Sequence, residues 1–463
     1  MDHHFTRRTF LRGAAGAAAT LAIGSLDVRA YAANGANEKL RCACIGVGGR
    51  GGAHVQAAMG ENLVALCDVD RHRLDGAARS AAQRNFQVKT FTDYRKMFDE
   101  AHQEFDVVFV GTPDHHHAPA SMLAIKHGKH VYTEKPLTHS IYEARRLTEE
   151  ARKAGVATQM GNQGMASEGH RRLCEYIWSG AIGPVREVHV WTDRATNWWM
   201  QGWDRPAYTD PVPGHLDWDL WLGPAPVRPY VQRWRIPPAK NKEEYHPDNC
   251  RCGSAVYHAA TWRGWWDFGT GALGDIACHA MAPAFWALKL SKPTAVQAEH
   301  SPSNAEMFPA WSIITYEFPA RGDLPPVKLV WYDGGKKPPR PAELEPGREL
   351  GSNGSIYVGD GGKMLDHRII PESKMQQVKP PDKTIPRVPG HHEDFFIACR
   401  GGRPACSNYD FAGNLTEAAL AGNVAIRAGQ RIEWDAEAMK PKNGSDPEVL
   451  RLIRREYRKG WSL

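Results

Sequence analysis

An apolar run that ends in glycines constrains the fold more than any other feature. Residues 40–45 read as a buried strand running directly into Gly46-Val47-Gly48-Gly49-Arg50-Gly51. A helical pattern follows over 52–59, then a second strand over 63–67 that ends in Asp68. A lone G-x-G-x-x-G is weak. Strand, glycines, helix, strand and an acid about 20 positions on form a strong constellation. Each part has a physical task. Glycines let the backbone approach a pyrophosphate, and the helix N-terminus offers free N–H groups and a partial positive charge. Asp68 can accept hydrogen bonds from both ribose hydroxyls and would repel a 2′-phosphate. The expected cofactor is therefore NAD rather than NADP, a preference tempered by the nearby Arg71. The alternative is a glycine turn in an unrelated α/β fold.

The alternation continues. A buried strand over 105–111 leads into Thr112-Pro113, a helix is expected over 118–127, and a strand over 129–133 ends in Glu134-Lys135-Pro136. A helix over 141–153 and a strand over 156–160 follow. Such alternation builds a doubly wound parallel sheet, assigned to residues 38–165. A second α/β domain, 166–435, carries strands at 185–191, 294–300, 312–318 and 327–331, an antiparallel-rich pattern. Loops rich in Pro and Gly are expected at 334–352 and 371–390, a closing helix at 410–428 and a C-terminal tail at 436–463.

With Gly46–Gly51, Asp68, Thr112-Pro113-x-x-x-His117, Gly128-Lys129-His130-Val131 and Glu134-Lys135-Pro136, the chain resembles the glucose–fructose oxidoreductase, inositol dehydrogenase and rhizopine-catabolism (Gfo/Idh/MocA) family over roughly residues 38–435. The resemblance implies a Rossmann domain followed by an α/β domain with an open-faced, largely antiparallel sheet. It implies catalysis by the lysine of the Glu-Lys-Pro motif with a D-x-x-x-H pair, here Lys135, Asp275 and His279. It also implies pairing of subunits. The family pattern usually carries an acid three positions after the histidine; Ala282 stands there, so any role of such an acid is in doubt.

The residue types suit alcohol oxidation. Asp275 and His279 are four apart, on one face of a helix. A histidine can take a hydroxyl proton, Asp275 could orient it, and Lys135 could stabilise the developing alkoxide. A structural Asp–His pair is the plainer alternative. The candidate cofactor contacts are Gly46, Gly48, Gly49, Arg50, Gly51, Asp68, Thr112, Pro113, His117, Glu134, Lys135 and Asn162. His115-His116-His117 is expected to be a loop lining the nicotinamide pocket; three consecutive histidines cannot all face one metal, and no metal site is expected. His391-His392 reads as a helix N-terminus, or as a contact at the substrate mouth.

Residues 192–267 break the rhythm and hold nine of the sixteen tryptophans. Disordered segments lack tryptophan, so this insertion is expected to fold. Its indole faces could stack on sugar rings or simply pack the insertion. The candidate substrate contacts are Trp199, Gln201, Trp266, Asp267, His391 and His392, with Asn197 and Arg205 also at hand.

At the N-terminus, Arg7-Arg8 precede Phe10-Leu11, an Ala/Gly/Leu-rich run from 13 to about 26, and Ala30-Tyr31-Ala32. Charged head, short apolar middle and small-residue end predict a removable twin-arginine signal over 1–32, not an anchor, since a spanning helix needs about 20 apolar residues. Export to the periplasm follows. The net charge of +6 includes +2 from this segment (four Arg against Asp2 and Asp27), and no basic block remains. Nucleic acid is thereby excluded as the main partner, and no later stretch reads as a membrane span. The nine scattered cysteines read as buried thiols, with a disulfide open to Cys250 or Cys252.

Fingerprint and export signal together predict a sugar or polyol oxidoreductase with tightly bound, internally recycled NAD. A redox-neutral NAD-dependent glycosidase, working by transient oxidation, elimination, hydration and re-reduction, is the alternative. A carbohydrate-binding protein on the same fold is a third reading.

Overall fold

The computed structural model describes residues 39–444 and 446–463, so the export segment lies outside the described residues. Six strands, β1 (Arg41–Ile45), β2 (Asn62–Cys67), β3 (Lys89–Phe91), β4 (Val107–Val110), β5 (His130–Thr133) and β6 (Thr158–Met160), form a parallel sheet in the order β3-β2-β1-β4-β5-β6. All four residues of β4 are fully buried. Helices cover both faces of such a sheet, which is why its strands read as unbroken apolar runs. Local signals set the connections. The helix Ile141–Ala154 starts at a capping box, Ser140 with Glu143, and stops at Gly155 in the left-handed region (φ 65°).

The second sheet has nine strands, β7 (Val185–Trp191), β8 (Ala295–His300), β9 (Ser312–Phe318), β10 (Val327–Tyr332), β11 (Gly354–Gly359), β12 (Gly362–Leu365), β13 (Arg368–Ile370), β14 (Ile432–Asp435) and β15 (Lys440–Pro441), in the order β13-β12-β11-β7-β10-β9-β8-β14-β15. Its pairs are antiparallel except β7 with β10. Along β9 buried and half-buried residues alternate strictly. One face therefore packs on the core, where Tyr316 of β9 donates to the Ala419 carbonyl of the helix Tyr409–Ala428 at 3.3 Å, and the other face is half-buried along β9 and partly covered by Leu344 and Leu350. No helix of the described residues is long and apolar enough to cross a membrane.

Three expectations need correction. The helix expected over 118–127 begins at Asp114, so His115, His116 and His117 form its buried first turn rather than a loop. Residues 436–463 are no separate tail: β15 joins the sheet, and Arg455 and Tyr457 both bond Glu143 at 2.6 Å. The helix over 410–428 is not terminal either, because β14, β15 and Pro447–Ile453 follow it. The strands β11 to β13 are short and partly open to solvent, and β11 and β12 contain glycine, which weakens their apolar signal.

The insertion over 192–267 has its own aromatic core. Trp218 stacks on Trp221 at 4.6 Å, and Tyr257, Trp265 and Phe268 close around them. It docks on the Rossmann sheet just past β2. Leu216 bridges to Asp70, whose carboxylate meets His215 Nδ1 at 2.9 Å and His258 Nε2 at 3.0 Å. All nine cysteines are free thiols; buried Cys250 points its Sγ at the Met200 sulfur, 3.5 Å away.

Candidate active site

A cavity of about 610 Å³ runs along the carboxyl edge of the parallel sheet, from the end of β2 past β1 and β4 to β5. This is the edge at which open α/β sheets bind ligands, and the volume lies within the range of small-molecule sites. Its wall contains Gly46, Gly48, Gly49, Arg50, Asp68, Thr112, Pro113, Glu134, Lys135, Asp275, His279 and Trp199.

At the β1 end the backbone leaves no space for side chains. A Cβ on Gly51 would stand 1.8 Å from the Gly46 carbonyl oxygen, and one on Gly46 (φ +75°) would stand 2.7 Å from the Gly111 carbonyl carbon. Only glycine permits this turn. The carboxylate of Asp68 accepts Val47 N–H and Asp70 N–H, each at 2.9 Å. Burial raises its pKa, and these two N–H groups oppose the rise. One oxygen lone pair on each side remains for a ribose hydroxyl. Glycine cradle, helix N-terminus and acid thus fit a dinucleotide.

At the β5 end, Lys135 Nζ donates to Asp275 Oδ1 at 2.6 Å, and Arg263 Nε donates to the same oxygen at 2.8 Å. Burial pushes the Asp275 carboxyl up, but Lys135 and Arg263 outweigh it and hold it well below the usual carboxylate range. His279, one turn further along the helix Gly271–Ala280, is half-buried and faces the same cavity. Burial, followed by the charge of Lys135, pushes its pKa down to about 4. The imidazole is neutral at neutral pH and able to accept a proton. Asp275 does not bond His279, as the sequence had suggested; it positions Lys135. Ala282 is fully buried in the core, so the acid implied by the resemblance has no counterpart there.

Two further acids flank the lysine. Glu134 Oε1 receives Arg50 Nε at 3.2 Å, Gln163 Nε2 at 3.1 Å and His54 Nε2 at 3.2 Å. Despite its burial, His54, Lys135 and Arg50 keep it far below the usual range. Asp114 is fully buried, takes Thr270 Oγ1 at 2.7 Å on one oxygen and leaves the other without a partner. Burial, then repulsion from Asp275, pushes it up to about 7.

Several predicted residues lie outside the cavity wall. Gly51 shapes the turn from behind. His117 bridges the Pro136 and Thr112 carbonyls at 2.7 and 2.9 Å, and Asn162 donates to the Cys278 carbonyl at 3.0 Å. Gln201 bonds Trp199 Nε1, Ala272 N–H and the Pro309 carbonyl, which ties the insertion to the helix Gly271–Ala280. Trp266 packs tilted against Phe308 with ring centres 3.7 Å apart, and Asp267 pairs with Arg228. His391 bonds the Met160 carbonyl at 2.8 Å, and His392 meets His54 at 3.0 Å. These five proposed substrate contacts serve packing; of the six, Trp199 alone faces the cavity.

Other wall residues carried no sequence motif. Arg73, Arg194, Trp198, His258, Trp262, Arg263 and Trp461 face the cavity, as does His116 of the histidine triplet. The tryptophan-rich composition pointed to the right segment but not to Trp198 or Trp262. Among the described residues, Asp70, His72 and His215 bring potential metal-ligand atoms within 4.8 Å of one another. The Asp70 carboxylate is already taken by His215, His258 and the His72 N–H.

Residues 40–162 match the model of an oxidoreductase family with an NAD-binding Rossmann fold, and residues 170–463 match that family's C-terminal α/β domain. The chain is 31% identical over 185 residues to an inositol 2-dehydrogenase of Rubrobacter xylanophilus, covering 38% of this chain and 47% of that protein. It is 29% identical over 175 residues to a glycosyl hydrolase family 109 protein of Shewanella baltica, covering 33% and 38%. The chain thus spans less than half the length of these relatives. The fold resembles the WlbA dehydrogenase of Bordetella pertussis, crystallised with NADH and UDP-GlcNAcA, with TM-score 0.56, 17% identity and coverage of 86% and 99%. It also resembles GenD2 of gentamicin A biosynthesis, crystallised with NAD, with TM-score 0.54, 19% identity and coverage of 90% and 100%.

Proposed function

Because the chain belongs to the Gfo/Idh/MocA oxidoreductase family, we propose that it oxidises a secondary hydroxyl of a carbohydrate or polyol with an NAD that it holds tightly and carries out of the cytoplasm. The observation that carries this reading is Lys135 Nζ at 2.6 Å from Asp275, with His279 beside it, in one cavity continuous with the glycine turn and Asp68.

Bound NAD supplies the two-electron acceptor for the hydride of the carbinol C–H. The chain supplies the rest. His279, neutral above about pH 4, takes the hydroxyl proton as the C=O bond forms. Lys135, fixed by Asp275, donates to the oxygen as negative charge develops on it. Arg263 donates to the same carboxylate oxygen, which keeps Asp275 ionised as the acceptor that fixes the lysine. Trp199 and Trp262 offer apolar surface to a ring and exclude water.

A twin-arginine route carries folded proteins, so the cofactor can enter before export and be recycled within the site. The half-buried outer residues of β9 offer a surface for pairing with another copy. A redox-neutral glycosidase cycle is the second reading, favoured by likeness to the family 109 glycosyl hydrolase and by the tryptophan-rich cover of the cavity. Net oxidation and glycoside cleavage are told apart by their products.

The test is substitution at the reacting end. Lys135→Met and His279→Ala should each lower kcat by at least about 100-fold, in the range for removing a positioned acid–base group, with unchanged folding by circular dichroism. Turnover that survives both would remove the assignment.

A further inference from the structure

Next to Lys135 the cavity wall carries two arginines whose donors are only partly engaged. Arg263 gives Nε to Asp275 and Nη1 to the Ala260 carbonyl at 3.0 Å; its Nη2 has no hydrogen bond among the described residues. Arg194 gives Nη1 to Asp193, while its Nε and Nη2 have none. The Asp193 side chain is 37% exposed against 20% for Arg194, and Asp193 is not part of the wall. The Arg194 guanidinium lies 3.5 Å from the centre of the Trp198 ring, with Arg251 4.3 Å from the same ring. Stacking on an indole leaves the edges of a guanidinium, which carry its N–H groups, available to a ligand.

Within this part of the wall the cations Lys135, Arg194 and Arg263 outnumber the acid Asp275, while Asp193, paired with Arg194, and the buried Asp114 stand outside the wall. The other wall acids are engaged elsewhere: Asp68 by two backbone N–H groups, Asp93 by Arg95 at 2.7 Å, and Glu134 by Arg50 and His54. A neutral sugar would desolvate these guanidinium N–H groups without matching their charge, which costs free energy. A planar fork of N–H donors matches an oxyanion.

We infer that the substrate is an acidic sugar, whose oxyanion is held by Arg194 and Arg263. This inference rests on the oxidoreductase reading above and names its substrate class. A uronic-acid carboxylate and a sulfate ester share the required chemistry. The trigonal carboxylate is the better match to the in-plane donors of Arg194.

The test uses the purified full-length chain with its own cofactor. Reduction of bound nicotinamide is followed with methyl glucuronide, methyl glucoside 6-sulfate and methyl glucoside. The glucuronide should exceed the neutral glycoside in kcat/KM by about ten- to hundredfold, the range of a charge-assisted hydrogen bond. The ratio should fall towards unity in Arg194→Gln and be partly kept in Arg194→Lys. A preference for the sulfate over the glucuronide would keep the oxyanion site and reassign its occupant. Equal use of neutral and acidic sugars, or an unchanged ratio in Arg194→Gln, would overturn the inference while leaving the oxidoreductase reading intact. If no sugar reduces the nicotinamide, that reading fails instead. Tryptophan-fluorescence titration with methyl glucuronide then decides the anion site: a Kd about tenfold weaker in Arg194→Gln supports it, and an unchanged Kd overturns it.

Discussion

Asp275 is the residue on which the reacting end depends. It is one buried carboxylate shared by two cations. Removing the shared partner of a buried pair costs about 3–5 kcal/mol, because the remaining charges lose their compensation. Asp275→Asn should therefore lower the midpoint of chemical denaturation and abolish turnover together, both measurable on one preparation. Asp114 behaves in the opposite way. Its folded pKa of about 7 lies above the unfolded carboxylate value, so the native state binds the extra proton. Its contribution to stability is fully present below the unfolded pKa, near 4, and is lost as pH rises through about 7. Asp114→Asn keeps an acceptor for Thr270 and removes the charge that Asp275 repels. The variant should gain on the order of 2 kcal/mol over wild type at pH 8, with the difference shrinking towards pH 4. A constant difference across that range would contradict the assignment.

At the scale of elements, the turn between β1 and the helix Gly51–Gly60 has no room to relax. Gly51→Ala would bring a methyl group to 1.8 Å from the Gly46 carbonyl oxygen, on backbone rather than on a movable side chain. The shift that relieves it should cost about 1–3 kcal/mol and weaken NAD binding, checked by thermal unfolding with and without NAD. This turn was legible in the sequence because every part of it is local: strand, glycines, helix and acid lie within 30 residues. Lys135, Asp275 and His279 were legible as short motifs, and they meet in one cavity. What was not legible is long-range. Asp275 was expected to orient His279, yet Arg263 from the insertion and Lys135 from the end of β5 claim its carboxylate. Gln201, Trp266 and Asp267 have sugar-binding side chains, but each completes a hydrogen bond or ring contact that packs the insertion. Composition cannot distinguish a tryptophan that lines the cavity, such as Trp199, from one that lies wholly in the core, such as Trp265.

At the scale of the whole molecule, the cofactor cavity is covered from two distant parts of the chain. Leu220, Trp221 and His258 come from the insertion, and Trp461 from the last residues. The insertion is pinned beside β2 by Asp70 with His215 and His258, next to the acid that faces the ribose site. This cover supports the proposal that NAD is held tightly. In the proposed function the N-terminal segment and the dinucleotide fingerprint serve together, the folded chain taking its hydride carrier with it. The most direct test is to purify the full-length chain without added nucleotide, denature it and assay the released NAD(H). About one nucleotide per chain is expected, since one such fingerprint is present, with sugar-dependent reduction of that nucleotide before denaturation. A chain that releases none, and turns over only when NAD is supplied, would contradict it.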